Sequence, residues 1–139
     1  MKLSAIMSIS DSYTDEVVTG TNALLYANEA IAFINTKLGV NLPFFVSTTA
    51  EYTALSESWC RRLIVTYLNY SVKMNDSSLN EAAEYKNSFY EAFTDLSSVY
   101  LEAIDILYLP TTLSNVYVLD TSDAVDTGWF FNSGNRGGL

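Results

Sequence analysis

Residues able to do chemistry are sparse in this chain, and their spacing argues against catalysis. Acids recur at helical intervals, Glu81 with Glu84, Glu91 with Asp95 and Glu102 with Asp105, so each pair could share a proton or ligate a cation from one helix face. They alternate with an apolar stripe, and the chain holds no histidine, so a solvated face is the favoured reading. A di-iron carboxylate bundle is excluded, because its Glu-x-x-His pairs need that residue. Cys60, between Trp59 and Arg61, could be a thiol activated by the adjacent cation. No imidazole base is there to assist it, and a mid-helix cysteine is more often a small packed hydrophobe. A single cysteine also rules out an internal disulfide and a cysteine zinc cluster. No enzyme activity, cofactor or metal is expected.

Two binding chemistries fail on similar grounds. Gly128, Gly134, Gly137 and Gly138 precede neither a helix nor a Lys-Ser/Thr pair, so no phosphate-cradling loop is present. Ten tyrosines could stack on bases. Tyr52, Tyr67, Tyr70, Tyr85 and Tyr100 instead fall on apolar stripes, which suits core packing and subunit contact. With 7 Lys and Arg against 16 Asp and Glu, net −9, the chain repels phosphate, and only Arg61-Arg62 form a basic pair.

The last thirty residues carry the clearest functional signal. Val116, Tyr117, Val118 and Leu119 form a strand-like run with no partner strand in the chain. An acidic spacer follows, then Trp129, Phe130 and Phe131, and Arg136 lies in a Gly-rich end. Such a tail either folds back and plugs the open end of the body, or docks on a partner: the run adds a strand to a foreign sheet edge and the aromatics fill a pocket beyond it. The docking reading is preferred, with those eight residues as the partner-binding set, facing a portal or a neighbouring subunit.

The elements that must present this tail are helical. At 139 residues, with 49% hydrophobic and 14% aromatic residues, the chain is long and apolar enough for one domain plus an appendage. Met1 to Ser10, apolar but broken by serines, reads as a short N-terminal arm, and residues 11–16 read as the start of a short helix. Leu24, Ala27, Ile31, Ile34 and Leu38 predict a helix stopped at Gly39. Thr48 with Glu51 is a capping box, predicting a second helix whose stripe runs through Tyr52, Leu55, Trp59, Leu63, Tyr67 and Tyr70 to about Met74. Ser78 with Glu81 repeats the box ahead of one long helix from Ala82 to Leu107, with Ser97-Ser98 the one place for a kink. The fold class expected is all-α: a small antiparallel helical bundle with one long C-terminal helix, then an extended arm containing a short β-strand. The divisions are 1–20 (arm and short helix), 21–109 (body) and 110–139 (docking arm). No run reaches the ~18 apolar residues of a membrane helix, so no membrane partner is expected and the chain reads as soluble and intracellular, or part of an assembly made there.

A small acidic helical domain with this order of elements resembles the head-to-tail connector (adaptor) proteins of tailed bacteriophages. The resemblance rests on Tyr52-Leu55-Trp59 of the second helix, Ala82-Ala83-Glu84-Tyr85 opening the third, and Trp129-Phe130-Phe131 ahead of Asn135-Arg136-Gly137-Gly138. It implies a virion protein assembled in the host cytoplasm: a homo-oligomeric ring, commonly a dodecamer, bound beneath the portal protein. The C-terminal arm would embrace the portal, the body would receive the next tail component (a stopper, tail tube or nozzle protein), and DNA would pass through the lumen without specific binding. The other class is a small acidic helical binding module, an inhibitor or regulatory adaptor, acting outside a virion.

Overall fold

A computed structural model of the chain describes residues 1–110. The expected arm over 110–139, its strand at Val116 to Leu119 and its docking residues lie outside the described residues, beyond Pro110 itself.

Helix α1 spans Leu3–Thr14, with Leu3, Ile6, Ser10 and Thr14 buried at three- and four-residue spacing. This corrects the expected N-terminal arm. Ser4, Ser8 and Ser12 lie on the wet face of an amphipathic helix, while Ser10 turns inward: Ser8 and Ser12 donate to the carbonyls of Ser4 and Ile9 at 3.2 and 2.7 Å. Residues 11–16, expected to start a helix, end one, because Asp15 takes the left-handed conformation (φ 57°) that a short polar side chain tolerates.

Helix α2, Gly20–Leu38, follows its sequence signals closely. Thr19 caps it by accepting from the Asn22 N–H at 3.2 Å, and Gly39 closes it at φ 69°. Its buried face is Ala23, Ala27, Ala30, Ile31 and Ile34, and the three alanines let neighbours come close.

Residues 39–56 then return along α2 without regular structure, held by two asparagines. The Asn35 amide accepts from Leu42 N–H and donates to Leu42 O at 2.9 and 3.0 Å; Asn28 does the same to Phe45 at 2.7 and 3.0 Å. Seven helical residues rise about 10.5 Å and three extended residues span about 10 Å, so the two clamps fall in register. Each amide stands in for the peptide group that a neighbouring strand would supply. Phe45, so positioned, stacks on Tyr52 at 4.1 Å between ring centres, and the Tyr52 hydroxyl donates to Pro43 O at 2.6 Å.

The Thr48–Glu51 capping box does not start a helix, a second correction. The chain's own N-terminus holds that stretch instead. Ser4 N–H donates to Thr48 O at 2.9 Å, and Tyr52 N–H donates to Met1 O at 3.2 Å. The Met1 ammonium donates to Tyr52 O and pairs with the Glu51 carboxylate. The helix begins at a different cap, Ser56, which accepts from Trp59 N–H. From there helix α3 covers 57–75: an α-turn Glu57–Cys60, a π-turn Arg61–Val65, and α-helix Thr66–Asn75. The wider π-turn leaves carbonyls short of their usual partners, and Thr66 Oγ1 reaches back to Arg62 O and Leu63 O at 2.7 and 3.0 Å.

Helix α4 is Leu79–Ala103, 25 residues and about 37 Å long. It runs unbroken through Ser97 and Ser98, whose hydroxyls bond back to Thr94 O and Asp95 O. It stops short of the expected Leu107: Ile104 is extended and buried, and a 3-10 turn Ile106–Tyr108 follows, with Asp105 Oδ1 accepting from Leu107 N–H. Ser78 sits at the helix entrance, where its carbonyl accepts from Ala82 N–H at 2.9 Å but its hydroxyl makes no cap, and Glu81 pairs with Lys73 rather than completing a box.

Side-chain pairings give the helix directions. Lys73 meets Glu81 and Arg62 meets Asp95, so α3 and α4 are antiparallel. Asn75 meets Tyr26 and Tyr67 meets Glu29, so α2 and α3 are antiparallel too. Met1 lies beside Tyr52 and Ser10 beside Asn69, so α1 runs with α3. The alternation of α2, α3 and α4 matches the expected bundle, with a long α2–α3 connection over residues 39–56. Among the described residues there is no β-sheet, only an isolated Lys2–Glu51 bridge.

Two outcomes follow from these attachments. Asn35→Ala strands the Leu42 N–H and C=O, so its denaturant midpoint should fall by an amount equivalent to about 1–3 kcal/mol. The Met1 ammonium, as hydrogen-bond donor and charge, holds the Glu51 carboxyl below its ordinary value. A lowered folded value means stabilisation that is full well above 4.5 and lost as pH falls through the folded value. In paired urea titrations, the gap between the native chain and Glu51→Gln should be open at neutral pH and close on acidification.

Candidate functional site

The acid pairs of α4 and Cys60 are each engaged structurally or exposed singly. Glu81 and Asp95 are tied to Lys73 and Arg62, while Glu84, Glu91 and Glu102 face solvent. Among the described residues no group of three or more His, Cys, Asp or Glu side chains converges to hold a metal. Cys60 is fully buried and its Sγ is directed at Leu55 O. Burial pushes its thiol up to about 11, against a smaller lowering by the N-terminal ammonium. The Arg61 guanidinium is turned away onto Glu57 at 3.0 Å, so the neighbour that might have activated the thiol does not.

The most developed surface feature is aromatic. Where α2, α3 and α4 meet, Phe33 packs edge-on against Phe89 and Phe93 at 5.4 and 5.1 Å, and Tyr67 against Phe89 and Tyr70 at 5.1 and 5.6 Å. Edge-to-face contacts of this kind leave wedges between rings. One wedge is a cleft of about 130 Å³ lined by Phe33, Tyr67, Tyr70, Lys86, Phe89 and Tyr90. Burial pushes the Tyr67 hydroxyl up to about 12, with Glu29 adding to the shift, so it stays a neutral donor, 3.4 Å from the Glu29 carboxylate.

Two lysines flank the cleft. The Lys86 ammonium lies over the Tyr70 and Tyr90 rings at 5.5 and 5.8 Å, and Lys37 lies over Phe33 at 5.8 Å. Arg61, Arg62 and Lys73 are spent on Glu57, Asp95 and Glu81. Lys37 and Lys86 form no ion pair among the described residues, so their charge is available to a ligand at this cleft.

The residues singled out from sequence as partner-binding, Val116, Tyr117, Val118, Leu119, Trp129, Phe130, Phe131 and Arg136, all lie outside the described residues. The cleft had a signal of its own. Phe33 with Lys37 and Lys86 with Tyr90 are both aromatic–lysine pairs at i, i+4, on the two helices that meet there.

No known family, characterised protein or solved structure matches the chain.

A buried thiol raised to about 11 is almost wholly protonated at pH 8. Native protein should therefore not react with an aromatic disulfide reagent over minutes, and should release one equivalent of thiolate once denatured.

Proposed function

We propose that this protein is a structural subunit rather than an enzyme: a head-to-tail connector that forms a ring under the portal of a tailed phage and links the capsid vertex to the tail. The observation that carries the reading is the apolar surface just ahead of the arm. Ile106 and Leu107 are adjacent and 75% and 76% exposed, and Leu101, a turn before them, is 45% exposed. Phe44 and Val46, at 53% and 79%, add a second exposed apolar pair on the segment that returns along α2. Exposed side chains of this size, grouped along the chain, suit a subunit whose surface is covered by neighbours.

The rest of the chemistry supports the same reading. Net charge −9 disfavours adhesion to passing DNA. A closed ring multiplies modest contacts between copies into a stable assembly. The arm would carry the hold on its ring partners, with the strand-like run Val116 to Leu119 on the portal and the aromatic anchor Trp129 to Phe131 with Arg136 on the portal or a neighbouring subunit.

Co-expression with a phage portal protein, taken from a neighbouring reading frame that encodes one, followed by native mass spectrometry and negative-stain imaging, tests this. The native chain should give a ring of about twelve copies on the portal, the number that the family resemblance implies. Replacing Trp129, Phe130 and Phe131 by Ala should leave the helical circular dichroism intact while weakening docking, at ~2 kcal/mol or more per buried anchor. A proline at Val118 should weaken it too if that N–H pairs with the portal's sheet edge. Failure to associate with the portal at all would move the protein to the other class, an acidic binding module acting outside a virion.

A further inference from the structure

We infer that the aromatic cleft between α2, α3 and α4 is the receptor for the acidic aromatic segment 120–131 of a second copy of this chain. The second copy as its source rests on the ring reading, in which each subunit offers an arm and receives one.

Size, charge and reach converge on that occupant. A cavity of about 150 Å³ takes one benzene ring, so a cleft of about 130 Å³ bounded by Phe33, Tyr67, Phe89 and Tyr90 accepts one phenyl side chain. Its walls present ring faces and edges, which favour an aromatic guest over an aliphatic one. Lys37 and Lys86, exposed and without carboxylate partners among the described residues, ask for negative charge beside that guest. Segment 120–131 offers that combination: Asp120, Asp123 and Asp126 with no cation, then Trp129, Phe130 and Phe131. From Pro110 to Phe130 the chain can extend up to about 65 Å, longer than α4 itself. The arm can therefore reach a neighbour's cleft rather than only the nearest surface. A heterologous contact of this kind, arm of one copy into cleft of the next, is the type that closes rings.

The test is fluorescence anisotropy of a labelled peptide covering residues 119–132, titrated with the full-length protein. Saturable binding is expected. Both lysines are exposed, so Lys37→Glu with Lys86→Glu should keep the native circular dichroism while weakening binding by about tenfold, the effect of two exposed cationic contacts. A peptide carrying Asp123→Lys and Asp126→Lys should bind the doubly reversed protein better than the native peptide does, which distinguishes docking from apolar adhesion. A peptide with Trp129, Phe130 and Phe131 replaced by Ala should bind least of all.

No saturable binding overturns the inference, and so does binding that is indifferent to the charge reversals or to loss of the aromatics. Rings on a portal combined with a peptide that does not bind would overturn this inference alone. A peptide that binds as described, with no association to a portal, would leave the cleft assigned and remove only the connector reading.

Discussion

Leu63, Ile64 and Val65 are consecutive and all buried, and an α-helix that turns 100° per residue cannot hide three successive side chains against one neighbour. Helix α3 therefore needs company on several sides, and the other helices are arranged to provide it: α1 alongside, α2 and α4 antiparallel. The π-turn Arg61–Val65 sits in the middle of this demand. By widening one turn it changes the phase of the helix, so that Cys60 ahead of it and Leu68 and Val72 after it all reach the interior. The Thr66 hydroxyl removes much of the backbone cost.

Burial of polar groups follows from the same crowding. The Ser10 hydroxyl donates to Asn69 Oδ1 across α1 and α3 at 2.6 Å, both residues being essentially inaccessible. The segment 39–56 crosses the body without a strand beside it, and Asn28, Asn35 and the N-terminal residues serve as its hydrogen-bonding partners. A loop so fastened behaves as a structural element. It places Phe45 and Tyr52 in the core, and it leaves Phe44 and Val46, on the other side of the same chain, in solvent.

Where tertiary demand and local signal agree, the fold was legible in the sequence. Helix α2 has both its stripe and its glycine stop, and α4 keeps its three-four rhythm across the two serines. Legibility failed where a local signal had a competitor farther along the chain. Thr48 and Glu51 spell a cap, but the Met1 ammonium and the backbone of residues 1–4 outcompete it. The serines of residues 4–12 look like an arm until Leu3 and Ile6 are seen to face α3. Cys60 is buried and the acids of the α4 pairs are exposed, which the apolar stripe running between them already indicates. The aromatic cleft was not found, since Tyr67, Tyr70 and Phe89 all fit a core stripe and only Phe89 is fully interior. A stripe shows which face turns inward; it does not show that the face ends in an open wedge with a lysine on either side.

The distribution of positive charge is what makes that wedge consequential. Copies of a chain with net charge −9 repel one another, and at physiological ionic strength that repulsion is felt within about 8 Å, the range in which docking is decided. Association then depends on short-range contacts that bury apolar surface and on the few places where the local potential reverses. Glu57, Asp95 and Glu81 already neutralise three of the cations on α3. Lys37 and Lys86 keep their charge, and both stand over aromatic rings that an acidic partner segment could also cover. An acidic protein can thus repel its copies over much of its surface while offering them an attractive address at this cleft, and the same repulsion suppresses contacts in other registers.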